Sequence, residues 1–540
     1  MSLSMADAET TPSTTPLPPS ALSATRKREV LAAFEGPAQL PELLSAAFGV
    51  TGHMPLAHVD RLIVGGGLTG LLLALRLSAG DPKEASNLCL VEGEQACGGR
   101  LFFSTPWHGM GSPRSRFEML IERGFLGRDV SGPGFEAFSP DALTTLERHL
   151  VATLSDEERS FVEAFTCMGT EGAPLSRRCY VVKKEVTPLS AHLDSSTEIL
   201  TRKEAEALGA LVNLLPHEDT VLAETIFWKE LPKATRENLT PLLETLCGFN
   251  FCRFFASHVA MVVHGFLDAH KVQIPPLLRR DGGLELALEL VLRMRGVQVR
   301  TSTRVVRLER GEAPSKSLGS VPSEPFRLLV GDDAFPSARE LTARQVTLCL
   351  PLARTLTLLP REALSPGQGK LVSKHRPRSL VALEFPNVAD NCLGVFPEEC
   401  RPGDVLFFPV ERARGHVTSQ GSLVLGAWLE YEESLQAPSV REALSRLRKA
   451  AARVLKPEAL RVFSQQGAAV PAGSLTVRRE RVVLLPVGLA TPQEPLSKET
   501  VGDVRTAWKG LTVCGDGFTW STTPWRNVVN SVAEASGNQG

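Results

Sequence analysis

Two short stretches carry residue types whose spacing could do chemistry. In VGGGLTG, residues 64–70, Gly65, Gly67 and Gly70 satisfy a Gly-x-Gly-x-x-Gly pattern. The first glycine allows a tight turn, the second lets the backbone approach a pyrophosphate, and the third lets a helix pack on a strand. Leu68 and Thr69 complete the turn and open the helix, whose free N–H groups and partial positive charge would face phosphates. The second stretch is VEGEQACGGR, residues 91–100. Glu92 lies 22 residues past Gly70 (92 − 70), where an acid accepts hydrogen bonds from both hydroxyls of an adenosine ribose. Gly98 and Gly99 would let a second loop pass close over a dinucleotide, and Arg100 would neutralise a phosphate or contact the ring system. These residues predict a dinucleotide site, with NAD and FAD both open at this point.

Such residues need a scaffold. HVDRLIV (58–64) reads as a strand, the apolar run from Leu71 to Leu77 as a helix, and NLCLVE (87–92) as a second buried strand. Strand, glycine turn, helix and strand in series open a parallel, doubly wound α/β sheet. Further on, DGGLELALELVLRMRGVQVRTSTRVVRLER (281–310) predicts a helix with Leu284, Leu288, Val291 and Leu292 on one face, a stop at Gly296, and strands after it. FRLLV (326–330) and QVTLCLP (345–351) are expected strands beyond a Ser/Pro/Gly-rich insertion at 311–324. Ser439 and Glu442 predict a capping box for an amphipathic helix that Pro457 ends. LTVCGDGFTWSTTPWRNVVNSVAEASG (511–537) reads as strand, loop and helix. Residues 120–275 look largely helical with an aromatic patch, FNFCRFF, at 249–255, and residues 26–48 suggest one or two short helices.

Composition bounds the function. The chain has 540 residues, 43% of them apolar and 22% charged, with a formal net charge of −1. That length predicts two or three domains, and the charge gives no bulk attraction to nucleic acid. The ten cysteines are scattered, Cys247 and Cys252 have the wrong interval for a zinc knuckle, and the eleven histidines form no HxxxH pair. No metal site is predicted, and the cysteines are read as reduced thiols. The opening MSLSMADAETTPSTTPLPPS has no basic and apolar signal pattern and predicts a disordered leader. The apolar run at 62–77 is too short for a bilayer and is broken by glycines. A cytoplasmic location without a transmembrane segment is therefore expected; the oligomeric state stays open, a homodimer included.

The Glu-x5-Gly-Gly-Arg arrangement, in register with the first glycine turn, resembles the flavin-containing amine oxidase superfamily, which also holds L-amino-acid oxidases and phytoene/squalene-type desaturases. The resemblance implies FAD, with Glu92 on its ribose and the Gly98-Gly99-Arg100 loop beside pyrophosphate and flavin. Segment 281–310 resembles the family's central flavin-domain segment, which implies that Val305 touches the adenine region by its backbone. GDGFTW and the helix after it resemble the closing FAD motif. There Gly515 and Asp516 would meet the ribityl or phosphate portion, and Val528 would stand near a helix N-terminus facing the flavin. The family's usual Glu-Gly-Ala-Val is replaced in that helix by Val529-Asn530-Ser531-Val532. GSPRSRF (111–117) is similar to the Gly-x-x-Arg of L-amino-acid oxidases, which implies that Gly111 and Ser112 adjoin the cofactor and that Arg114 clamps a substrate carboxylate. The alternative leaves Arg114 and Arg116 solvated or on an FAD phosphate.

The implied fold class is α/β: a discontinuous Rossmann-like FAD-binding domain at 56–118, 276–355 and 505–540, and a mixed α+β substrate domain at 119–275 and 356–504. Residues 1–55 form a partly disordered leader. Amine oxidases of this family carry a site lysine, but RSLVALEF (378–385) contains none, and Lys374 lies just upstream. With only Tyr180 and Tyr431 in the chain, a two-tyrosine cage is not expected; Trp520 and Trp525 stand where aromatic walls are needed. The expected function is oxidation of a small-molecule amine or L-amino acid by hydride transfer to flavin N5, with dioxygen as reoxidant. The alternatives are an FAD-dependent desaturase of an isoprenoid or carotenoid-type chain and a flavin-binding partner protein without turnover.

Overall fold

The structure, a computed structural model, describes residues 31, 33, 58–80, 82–94, 97–99, 140–166, 179–182, 186–188, 233, 236, 284–311, 326–332, 335–385, 405–417, 423–454, 481–492, 504–515, 517–518 and 524–537. Strand β1 (His58–Val64) leads through the glycine turn into α1 (Leu68–Leu77). A five-residue helix α2 (Pro82–Ser86) then returns the chain to β2 (Leu88–Val91), whose four residues are all buried. In α1 every residue but Leu68 and Arg76 is buried, as an all-apolar helix must be. Fully burying Leu71, Leu72, Leu73 and Leu75 stabilises the fold by about 1.5–3 kcal/mol each.

Helices α3 (Pro140–Thr153) and α4 (Asp156–Thr166) follow, then the short strands β3 (Cys179–Val182) and β4 (Val186–Pro188). A capping box starts α4: Glu158 N–H donates to Ser155 Oγ and Ser155 N–H to Glu158 Oε2. Next come α5 (Leu284–Arg295), β5 (Gln298–Arg300) and a meander of β6 (Thr303–Arg310), β7 (Phe326–Asp332) and β8 (Phe335–Leu348). Gly296, at φ +97°, stops α5 as expected, its N–H and that of Val297 returning to the Arg293 and Leu292 carbonyls. β8 begins ten residues before the strand expected at 345 (345 − 335), because its first half pairs with β7 and its second half with β1.

The chain then forms α6 (Leu352–Leu358), α7 (Pro366–Lys374), β9 (His375–Phe385), β10 (Val405–Phe408), β11 (Ala413–Val417) and β12 (Leu423–Glu430). It ends with α8 (Tyr431–Ser434), α9 (Ala437–Val454), β13 (Arg481–Pro492), β14 (Leu511–Val513) and α10 (Pro524–Gly537). The capping box expected at Ser439 and Glu442 does not form the start of α9. That helix already begins at Ala437, and the Val440 N–H bonds to the Gln436 carbonyl. The capping box at this place belongs to Glu430 and Glu433 of α8.

Two sheets of seven strands organise these elements. In the first, β5, β2, β1, β8 and β14 are parallel neighbours in that order. Taken in chain order the parallel strands run 3-2-1-4-5, so the fold is α/β. The antiparallel meander β6-β7-β8 supplies the connection between the third and fourth parallel strands. One face packs Ile63 and Leu90 against α1, α3, α4, α5 and α10; the other packs Leu62, Val64, Cys89 and Val91 with the meander and β14. Helices α3 and α4 lie in the stretch read from sequence as substrate domain, and their apolar side chains join the first of these cores. Arg295 ties that layer together. It forms a bidentate pair with Glu158 and donates to the carbonyls of Leu75 and Thr153 and to Ser78 Oγ.

The second sheet runs β13-β9-β12-β11-β10-β3-β4, antiparallel except between β10 and β3. Ala443, Leu447, Ala450 and Ala451 of α9 cover its Val381, Leu383, Leu425 and Leu429. β3 and β4 fall within the stretch expected to be largely helical.

Candidate functional site

The C-terminal ends of four parallel strands meet at one edge of the first sheet. β1 runs into Gly65, β2 into Glu92, β8 into Cys349 and β14 into Cys514. Strand order reverses on either side of β1, and open α/β sheets bind ligands outside the strand ends at such a point.

The turn after β1 is built by what glycine omits. Gly65 sits at φ +105°, and a Cβ there would stand 2.6 Å from the Cys349 carbonyl oxygen. Both conditions demand glycine. A Cβ on Gly70 would lie 1.9 Å from the Gly65 carbonyl oxygen, so α1 packs onto its own turn. Gly67 is different: among the described residues a Cβ there would meet only the Gly99 Cα, at 3.9 Å. No other described residue stands within 4 Å in front of Gly67. Gly67 is also the N-cap of α1, with no side-chain cap and no acid in the first turn. The Leu71 N–H is the one that returns to the Gly67 carbonyl, at 3.0 Å, so the N–H groups of Leu68, Thr69 and Gly70 precede the first bond of the helix. Leu68 packs partly against the first core and Thr69 is buried.

Glu92 closes the second side. Its Oε2 accepts the Gly66 N–H at 2.6 Å and its Oε1 accepts the Glu94 N–H at 2.8 Å. Burial pushes the Glu92 carboxyl up, while the N–H groups of Glu94, Gly66 and Gly93 pull it the other way. Both oxygens are oriented by backbone and keep lone pairs for two neighbouring hydroxyls. The Gly98 N–H donates to the Gly66 carbonyl at 2.8 Å, Gly67 and Gly98 form a parallel bridge, and a Cβ on Gly99 would lie 3.0 Å from the Gly67 Cα. Two glycine stretches far apart in sequence thus lie backbone against backbone. The start of β6 borders them: Thr303 N–H donates to the Glu92 carbonyl and Ser302 N–H to the Glu94 carbonyl. Val305 pairs with Val330 two residues farther along and is partly buried against the meander face.

The end of β14 makes the third side. Ser531 Oγ accepts the Gly515 N–H at 3.0 Å and the Cys514 thiol at 3.2 Å, and donates to the Val528 carbonyl at 2.8 Å. One buried hydroxyl therefore fixes the strand end against α10. Val528 itself is buried in the first core. Thr69 Oγ1 stands 4.0 Å from where a Gly515 Cβ would be, which sets this segment beside the first turn of α1. Sequence reasoning read Ser531 only as a departure from the family's helix motif; it also passed over Gly66, although the run of three glycines was a visible signal.

Cys97, Cys349 and Cys514 are free thiols buried at this edge, and Cys89 is a free thiol buried within β2. Burial pushes Cys89 up to about 12 and raises Cys97 and Cys349 well above the ordinary thiol range. Cys89, Cys97 and Cys349 are therefore packing groups, because the thiolate is the reactive form. Arg100, Gly111, Ser112, Arg114, Asp516 and Trp520 lie outside the described residues, as does the side chain of Trp525, a first-turn residue of α10. Segment 378–385 lies in β9, with Lys374 at the end of α7 before it; Tyr180 is in β3 and Tyr431 opens α8. Among the described residues no cluster of His, Cys, Asp or Glu is arranged to hold a metal, and no helix is long and apolar enough to cross a membrane.

A parallel sheet that presents an uncapped helix N-terminus, a glycine turn and an oriented acid at its switch point is the architecture of a dinucleotide-binding α/β protein. Solved structures share the fold. An oxidoreductase from Methanosarcina mazei aligns with 89% of this chain and 100% of its own at 15% identity and a TM-score of 0.50. Cyclohexylamine oxidase from Brevibacterium oxydans IH-35A aligns with 89% of this chain and 99% of its own at 14% identity and a TM-score of 0.50. A variant of putrescine oxidase aligns with 90% and 99% at 15% identity and the same TM-score. The chain has the fold of these oxidases. No family model and no curated protein sequence matches it.

Proposed function

We propose that this chain is an FAD-dependent oxidoreductase that oxidises a small-molecule amine or L-amino acid, with dioxygen as the reoxidant. The observation that carries the reading is the Glu92 carboxylate, 2.6 Å from the Gly66 N–H, beside two apposed glycine segments at an uncapped helix N-terminus. The residues fit a dinucleotide. The space before Gly67 accepts a pyrophosphate, which the N–H groups of Leu68, Thr69 and Gly70 would hold. Glu92 would take the ribose hydroxyls, Gly98 and Gly99 would cover the phosphates, and Gly515 would border the far end. Bound FAD supplies a two-electron oxidant.

The chain's own residues bind, orient and exclude water. Arg100 and Asp516 are proposed cofactor contacts, with Gly111, Ser112, Val305 and Val528 adjoining. Arg114 is proposed to hold a substrate carboxylate by a bidentate pair, and Trp520 and Trp525 to wall the reacting carbon. The division into an FAD-binding domain built on the first sheet and a substrate domain built on the second belongs to the same proposal. An amine substrate is supported by the fold shared with cyclohexylamine and putrescine oxidases.

The test is direct. Purified protein should be yellow and release FAD on denaturation, and an amine and amino-acid panel should yield hydrogen peroxide. A colourless, folded protein that cannot be reconstituted with FAD ends the reading. Arg114→Ala should raise KM for an amino acid far more than for its decarboxylated amine; equal losses would remove the carboxylate clamp.

A further inference from the structure

Gly66 is not one of the three glycines that the Gly-x-Gly-x-x-Gly pattern requires, yet, as at Gly65 and Gly70, a side chain there would collide with its neighbours. A Cβ on Gly66 would lie 2.7 Å from Cys97 Sγ and 3.0 Å from Glu92 Cβ. The thiol of Cys97 thus occupies the volume that any other residue at 66 would fill. Cys97 immediately precedes Gly98, whose N–H donates to the Gly66 carbonyl. Burial, and after it the charge of Glu289 in α5, raise the Cys97 thiol well above its ordinary range. Glu289 is only 1% exposed and accepts both Nε and a terminal nitrogen of Arg293. A buried carboxylate is stable only where donors surround it, and Arg293 supplies two. Cys97 therefore fills the space beside Gly66 directly before the loop that meets the first glycine turn.

We propose that Cys97 is a positioning residue for the dinucleotide site: its side chain, seated in the slot that Gly66 leaves empty, holds Gly98 and Gly99 against the first glycine turn. The proposal deepens the FAD reading and rests on it for its ligand. It also explains why the chain carries three successive glycines where the phosphate pattern needs two. The side chain acts through the backbone it places and touches no reacting atom.

Four variants test it in the full-length protein: Cys97→Ala, Cys97→Ser, Gly66→Ala and the double variant Gly66→Ala/Cys97→Ala. FAD affinity is read by flavin fluorescence quenching on reconstitution, and stability of the cofactor-free protein by thermal melting. Cys97→Ala should weaken FAD binding by about tenfold or more, and Cys97→Ser, which keeps a donor of smaller size, should recover most of that loss. Gly66→Ala should be much less damaging in the Cys97→Ala background than alone, because removing Sγ vacates the place its methyl needs. Cys97 variants that bind FAD like wild type, or Gly66 and Cys97 effects that simply add, would overturn the proposal. Should wild type bind no FAD at all, the FAD reading falls. The Gly66–Cys97 coupling in the melting temperature of the cofactor-free protein still decides whether the thiol seats that loop.

Discussion

Gly67→Ala separates the ligand from the fold. Gly67 has φ −67° and ψ 179°, a conformation that alanine adopts without strain. Among the described residues its Cβ would meet one atom, the Gly99 Cα, at 3.9 Å, an ordinary van der Waals contact. Alanine also lowers the entropy of the unfolded chain by an amount worth about 0.4–1 kcal/mol, while it is a poorer N-cap than glycine by roughly 0.5–1 kcal/mol. The net effect on the stability of the cofactor-free protein should lie within about 1 kcal/mol of zero. The methyl nevertheless fills the space before the first turn of α1, where a pyrophosphate must come close to the Leu68, Thr69 and Gly70 N–H groups. Losing two charge-assisted hydrogen bonds of about 1.5–3 kcal/mol each removes roughly 3–6 kcal/mol. That is a hundredfold or greater rise in the FAD dissociation constant, by order of magnitude. Urea unfolding of the cofactor-free protein and fluorescence titration with FAD measure the two effects separately. Wild-type affinity in Gly67→Ala would refute the placement of the pyrophosphate. A large loss of stability would refute the claim that the space admits a methyl.

Gly70→Ala should do the opposite and destabilise the protein with or without cofactor, by about 3 kcal/mol or more in urea unfolding, since its Cβ would sit 1.9 Å from the Gly65 carbonyl oxygen. Glu92→Gln keeps the side chain's size but removes its charge and one of its two acceptors, so FAD affinity should fall roughly tenfold or more in the same titration. Arg295→Ala strips the bidentate partner from Glu158, which is 12% exposed, and releases the Leu75 and Thr153 carbonyls. Unfolding should become easier by about 3–5 kcal/mol, and Arg295→Lys should restore little of it. His149 is buried, its Nε2 has no hydrogen-bond partner among the described residues, and burial holds the imidazole below its ordinary value of 6.5. Below about pH 6.5 the unfolded imidazole takes a proton that the folded one resists. The unfolded state then binds more protons, and stability falls as the pH drops. His149→Leu should flatten that acid-side slope in melting experiments, and an unchanged slope would exclude His149 as its source.

The sequence by itself determined the local grammar of this protein. The strand, glycine turn and helix at 58–77, the acid at Glu92 and the helix stop at Gly296 were legible because each depends on neighbours within one turn or one strand. The tertiary structure decided what meets across the chain. Glu158 and Leu75 lie 137 and 220 residues from Arg295, and no periodicity links them. β8 could not be measured from sequence because two different neighbours extend it, β7 along its first half and β1 along its second. Helices α3 and α4 carry an ordinary amphipathic pattern, which says that one face is buried but not against which sheet. The start of α9 was misread because the Gln436 carbonyl, one residue ahead of Ala437, accepts the Val440 N–H, so the helix has already begun before Ser439. Ser531 caps the Gly515 N–H across 16 residues, and Cys97 fills the slot at Gly66; both depend on how helices seat against strand ends. Local residue types set which turns and elements are possible. Only the packing of distant elements, under the demand that every buried polar group find a partner, set which residues came to share the site.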